Sequence, residues 1–289
     1  MSNTALIIEE RSRDIGDFLV GRLLPFRKKR MVGPFIFIDH MGPETVGHGK
    51  YIDVDRHPHI GLCTLTFLLE GGIMHRDSLG TEQLITPGSV NLMVAGSGVT
   101  HTERTPNEWR DGRTHTLNGY QIWIALPKSH EATAPLFQHV AADELPAWND
   151  SGANFKLIAG KAFGHISPVM TFSELFMIEV TTPEQSVLDF GGKLPGEVGI
   201  TVVRGAIHAC DERIPEGNML VAKSEETCRI TAEAGTHLLL FGGEPLPEER
   251  HIYWNFVSSS REAIEKAKSD WEADRFPGIP GDTSYVPLP

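Results

Sequence analysis

The chain has 289 residues, a formal net charge of −12 at pH 7 and a hydrophobic fraction of 40%, with apolar runs spread along its length. That length suits two domains or one large one, with both halves able to bury a core, and the acidity disfavours a protein that takes its affinity from nucleic-acid phosphates. No apolar stretch approaches the ~20 residues of a membrane-spanning helix, and Met1-Ser2-Asn3-Thr4-Ala5-Leu6 lacks a basic segment followed by an apolar leader.

Cys63, Cys210 and Cys228 form no CxxC pair, which with the missing leader points to a reducing cytoplasm. Gly and Pro are frequent and evenly scattered, as in a chain of many short strands joined by turns. Phe18-Leu19-Val20 and Leu23-Leu24 make an entry strand stopped by Pro25, and Arg27-Lys28-Lys29-Arg30 is a solvated turn. Phe35-Ile36-Phe37-Ile38, bracketed by Gly33-Pro34 and Gly42-Pro43, is a buried strand ending in a turn, and His40 after it is a hydrogen-bonded structural histidine.

A polar loop leads to His57-Pro58-His59, then to the strand Thr64-Leu65-Thr66-Phe67-Leu68-Leu69. Pro58 lacks an amide donor and fits an edge or irregular strand. Gly61 and Cys63 share the parity of His57 and His59, so a regular strand would turn them toward the same interior as candidate pocket walls. His75 and Asp77 have the same spacing, but they follow Gly71-Gly72 and read as polar structural residues or as support for a neighbouring site. Val90-Asn91-Leu92-Met93-Val94-Ala95, the turn Gly96-Ser97-Gly98 and Val99-Thr100-His101 read as a hairpin. In Tyr120-Gln121-Ile122-Trp123-Ile124-Ala125-Leu126, Gln121, Trp123 and Ala125 take one face.

Linker character from Lys128 to Ser151 places a boundary that divides the chain into residues 1–135 and 136–289. The second part repeats the first weakly. Val202-Val203-Arg204-Gly205-Ala206-Ile207-His208 echoes Leu68 to His75, and Pro215 to Ala222 echoes Thr86 to Ala95. It has no counterpart of His57-Pro58-His59, and His165, His208 and His237 stand alone as structural residues. At the end, Ser259 with Glu262 fits a capping box, and Ile264, Ala267 and Trp271 form the apolar stripe of a helix from Arg261 to Arg275.

His57 with His59, and His101 with Glu103, are pairs at i and i+2, a spacing that puts both members of each pair on one face of a strand. Two neighbouring strands would then close three imidazoles and a carboxylate around one ion. Imidazole suits Fe, Ni, Cu or Zn, and four ligands on a six-coordinate ion leave two positions open for a small substrate and dioxygen or water. Structural zinc sites are closed and often cysteine-rich, which this set is not.

These stretches resemble the pirin signature. The resemblance is carried by His57-Pro58-His59-Ile60-Gly61, Leu69-Glu70-Gly71, His75-Arg76-Asp77-Ser78-Leu79-Gly80, Pro87-Gly88 and Ala95 through Glu103. Val32 to Phe35, Asp39-His40, Gln121, Trp123, Leu126-Pro127 and Gly242-Gly243-Glu244-Pro245 extend it over nearly the whole chain. It implies an all-β bicupin, two jelly-roll β-barrel cupin domains in tandem, here with a C-terminal helix. The N-terminal barrel would hold one metal, usually iron as Fe(II), on His57, His59, His101 and Glu103. Some bacterial pirins resemble flavonol 2,3-dioxygenases that cleave quercetin, and animal members are nuclear transcription cofactors. The expectation is therefore a cytoplasmic oxidoreductase taking O2 and a small aromatic substrate, with Glu103 as ligand and proton acceptor. The alternative is an iron-dependent regulator that binds a protein partner. Many pirins carry glutamate within a His-Arg-Gly-Phe-Glu run where this chain has Cys63, a change that removes an inward charge.

Overall fold

Alternating apolar strands interrupted by glycine and proline cannot bury their faces singly, so they pair into sheets whose apolar faces meet. The computed structural model describes residues 6–15, 18–209, 211–222 and 229–289, and among them the regular structure is strand except for two short 3-10 turns and one helix. The expectations placed on Met1 to Ala5, Cys210 and Cys228 lie outside the described residues. No described helix is long and apolar enough to cross a membrane.

The chain forms two compact units, and the division is not a single cut. One unit comprises residues 12–20, 39–142 and 247–289, and the other comprises 1–11, 21–38 and 143–246. This differs from the expected boundary between residues 135 and 136. The terminal segment, helix included, packs with the unit that carries the paired histidines.

In that unit the larger sheet includes, in spatial order, Leu136–Val140, Val90–Val94, Leu62–Glu70, His115–Ala125 and the part of the strand Phe35–Val46 from Asp39 onward. The smaller sheet has the order Asp53–His59, Val99–Arg104, Ile73–Asp77 and Glu82–Ile85, all antiparallel. Phe18, Val20, Met41, Val46, Ile52, Leu68, Ile73, Ile85 and Leu117 close one part of its core. The strand with Pro58 is an edge strand, the position that tolerates a missing amide donor.

Two local expectations are corrected. Val90–Val94 and Val99–Arg104 lie in different sheets, so Gly96-Ser97-Gly98 is a crossing between sheets and not a hairpin turn. Gly96 sits at φ +50°, where a side chain would meet the Thr133 carbonyl at 2.1 Å. The strand begun at Phe35 also continues through Gly42-Pro43 to Val46.

The second unit has the same plan. A sheet that includes Ala153–Ala162, Leu175–Thr182, Glu197–Arg204, Asn218–Ala222 and Thr236–Gly243 accompanies a four-stranded sheet of Ser186–Asp189, Ala206–Ala209, Glu212–Pro215 and Arg229–Ala232. Its interior is filled by hydrophobic side chains, among them Phe155, Phe176, Phe190, Val198, Ile200, Leu220 and Leu240. The repeated stretches occupy equivalent places, since Gly205 separates two strands as Gly71-Gly72 do. The isolated histidines are engaged elsewhere: His165 stacks on Trp148, His208 donates to Glu233, and His237 donates to Glu179.

The helix spans Arg261–Glu272 and buries Ile264, Ala267 and Trp271, the stripe expected from the sequence. Its cap is Ser260, one residue later than expected, whose hydroxyl accepts from the Ala263 amide.

Candidate metal centre

The smaller sheet of the first unit sets the site by register. His57 lies opposite His101 and His59 opposite Val99, while on the other side His101 lies opposite Asp77 and Glu103 opposite His75. Directly opposed residues of antiparallel strands share a face, so four histidines, Asp77 and Glu103 come from three strands onto one side. A bulge between His101 and Glu103 interrupts the pairing with the edge strand.

One nitrogen each of His57, His59 and His101 lies within 4.8 Å of the other two. His59 Nε2 and His101 Nε2 are 3.1 Å apart. His57 Nδ1 donates to the Asp55 carbonyl at 2.8 Å, which leaves its Nε2 bare. Burial lowers all three imidazole pKa values, that of His57 from 6.5 to about 4 and those of His59 and His101 well below 6.5. Neutral imidazoles with convergent nitrogens are what a transition metal requires, so the donor set fits a divalent ion. Glu103 shares the face but is not one of the three-residue cluster. Its carboxyl is pushed upward by burial, partly offset by His75 and Thr66.

The wall formed by the larger sheet has two rows. Trp123, Thr64, Met93 and Phe137 are mutually opposed across four strands, as are Gln121, Thr66, Asn91 and His139 in the next row. The first row is mainly apolar: Trp123 meets His59 edge-on at 5.2 Å, and Phe137 stacks on His75 at 4.6 Å. The second is polar: Thr66 Oγ1 lies 2.7 Å from Gln121 Oε1 and 3.5 Å from Glu103 Oε1, and His139 donates to Asn91 at 2.5 Å.

This register corrects the pocket expected around Gly61 and Cys63. Gly61 adopts φ +69° between two strands, and a side chain there would meet the Val257 carbonyl at 1.9 Å. Regular alternation therefore ends at His59. Cys63 opposes Ile124 and Val94, on the face opposite that of Trp123, and burial raises its thiol pKa. Thr64 and Thr66 take the inward places instead, set by their register opposite Trp123 and Gln121, which no local pattern in the sequence gives. His40 is structural as expected, donating to Asn118 at 2.9 Å and stacking on Tyr120.

Two β-barrel units of one plan, with three histidines converging inside one of them, define a two-domain cupin. A family model described as Pirin matches residues 18–124, and one described as Pirin C-terminal cupin domain matches residues 178–277. The chain belongs to the pirin family. It is 42% identical to a pirin-like protein of Caulobacter vibrioides, over 98% of this chain and 99% of the relative. It is 34% identical to a Pseudomonas aeruginosa protein named as a candidate quercetin 2,3-dioxygenase, over 92% and 82% of the two chains. Among solved structures it resembles a quercetin 2,3-dioxygenase from Acinetobacter baumannii with a TM-score of 0.89 and 33% identity, covering 99% of this chain and 95% of that one.

Proposed function

We propose that this chain is a metal-dependent dioxygenase that acts with O2 on quercetin-like flavonols or another enolisable aromatic substrate. His57, His59 and His101 would hold a divalent transition metal, Fe(II) in this reading, with Glu103 as the fourth ligand. When bound, the ion supplies Lewis acidity toward a substrate oxygen and an electron path to dioxygen. The observation that carries the reading is the convergence of three uncharged, buried imidazoles in a chain so similar to a quercetin 2,3-dioxygenase structure.

The chain's own residues have separable tasks. Burial keeps the imidazoles neutral and therefore able to donate a lone pair. Glu103, its basicity raised by burial, is placed to accept the proton of a substrate hydroxyl. Trp123, Met93 and Phe137 offer apolar surface to a flat ring and exclude water, while Gln121 and Thr66 offer polar contacts to its oxygens.

The test is oxygen uptake by the Fe(II)-loaded protein with a panel of flavonols. The wild-type protein should consume O2 with quercetin, and His101→Ala should lose both iron and uptake. Cleavage by His101→Ala at the wild-type rate would remove this assignment. A flat trace from the iron-loaded wild type across the panel, with a protein partner captured in only one iron oxidation state, would put a regulator in its place.

A further inference from the structure

His75 and Asp77 are buried beside the three-histidine cluster without belonging to it. They form a chain. His101 Nδ1 lies 3.4 Å from His75 Nδ1, and His75 Nε2 lies 3.0 Å from Asp77 Oδ2. Asp77 is 0% exposed, and its other oxygen accepts from the Leu79 amide at 2.9 Å and the Thr81 amide at 3.0 Å. Burial pushes the Asp77 carboxyl up, but the bonds from His75 and Thr81 outweigh it and hold the pKa below the usual carboxylate value. Phe137 stacked on His75 fixes the plane of the ring.

The proton positions follow from donor and acceptor counting. A carboxylate only accepts, so His75 Nε2 carries a proton and donates it to Asp77. A His101 that ligates through Nε2 carries its proton on Nδ1, so at the 3.4 Å contact His75 Nδ1 is the acceptor, which with the proton on Nε2 makes His75 the neutral link of the chain. That leaves the lone pair of His101 on Nε2, the atom turned toward His59. We propose that Asp77 and His75 are positioning residues that act in series to hold His101 in its metal-ligating tautomer. The ligand is thus set through one intervening imidazole, where a carboxylate or carbonyl more commonly sets it directly. His57 is held in the direct way, by the Asp55 carbonyl.

The inference rests on the metal-binding reading of the cluster, and its test is independent of turnover. In Asp77→Asn the amide oxygen keeps the Leu79 and Thr81 bonds, which turns the amide nitrogen toward His75 Nε2. Donor then faces donor, so His75 must move its proton to Nδ1, and His101 must move its own to Nε2. Ring-nitrogen NMR shifts of the metal-free protein should report His101 protonated at Nδ1 in wild type and at Nε2 in Asp77→Asn. Zn(II) affinity, measured by competition with a chromophoric chelator, should fall about 10- to 100-fold. Wild-type affinity in Asp77→Asn, or lost affinity with the His101 tautomer unchanged, would overturn the proposal. Should Asp77→Asn not fold, His75→Gln and His75→Leu decide. The glutamine oxygen can accept from His101 Nδ1, so His75→Gln should bind Zn(II) more tightly than His75→Leu, and equal affinities would reject the relay. A wild-type protein that takes up no Zn(II) fails the metal reading itself, while the tautomer measurement still judges the relay.

Discussion

Glu103 is where burial and chemistry meet most directly. Its raised pKa makes it a stronger base than an exposed glutamate, and Glu103→Gln removes the proton acceptor while nearly conserving shape. Under the proposed reading, kcat for flavonol oxidation should fall about 10²-fold or more, checked by oxygen uptake at equal metal content. His57 is one source of pH dependence. Its folded pKa of about 4 lies below its ordinary 6.5, so between those values the unfolded chain binds a proton that the folded chain does not. Stability of the metal-free protein therefore falls as pH drops from 6.5 toward 4, by about 3 kcal/mol for this group at ~1.4 kcal/mol per pH unit. Urea midpoints from pH 7 to pH 4.5 should show that loss together with contributions of the same sign from His59 and His101, and His57→Gln should make the slope shallower without abolishing it. The shared face of His57, His59, His101 and Glu103 was legible in the sequence because i, i+2 spacing on a strand is a geometric statement. Cys63 was misread for the same reason: alternation was carried through Gly61, whose positive φ ends it.

At the scale of elements, glycine placement decided what could be read. Gly61 joins the edge strand that carries His57 and His59 to the strand Leu62–Glu70, with its amide bonded to the Gly96 carbonyl and its carbonyl to the Leu126 amide. A methyl group there would collide with the Val257 backbone and strain a left-handed φ. Gly61→Ala should cost on the order of 2–4 kcal/mol and weaken metal binding, because the shift falls two residues from His59. A thermal unfolding midpoint equal to wild type would show that the close approach is dispensable. Gly96-Ser97-Gly98 marks a turn in the sequence, but whether the chain returns to its own sheet or crosses to another depends on contacts with Thr133, far along the chain. The helix was legible from its period, and its cap was displaced by one residue because Ser258, Ser259 and Ser260 all offer hydroxyls. Glu131 takes Ser258 and Ser259, which leaves Ser260 to cap.

At the scale of the folded unit, the C-terminal segment braces the ligand strands from behind, a relation that no local pattern in the sequence announces. Every second residue of those strands points away from the metal cluster, and several of these are held by the tail. Arg56, next to His57, lies over Trp271 at 4.9 Å and Tyr285 at 5.7 Å and donates to the Ser284 carbonyl and to Asp274. Thr100, next to His101, donates to the Pro277 carbonyl at 2.6 Å. Ile60, next to His59, packs in a cluster with Phe256, Ile264, Trp271 and Phe276. Trp271 itself is fully buried and donates to the Val286 carbonyl at 2.9 Å. The strands that carry the histidines thus pack on a segment more than 140 residues away in sequence. Trp271→Ala should destabilise the unit by about 3–5 kcal/mol through the cavity it leaves. Ending the chain after Phe276 should have a different signature. It takes Ser284 and Tyr285 from Arg56, Pro277 from Thr100, and Tyr285 and Val286 from Trp271, but leaves Asp274 and the helix in place, so Trp271 fluorescence should shift to the red while most strand structure survives by circular dichroism. Zn(II) affinity should drop, because the strands bearing His57 and His101 lose their outer supports together. If the shortened chain binds Zn(II) as tightly as the full chain, the ligand strands hold their own geometry and the tail is packing alone.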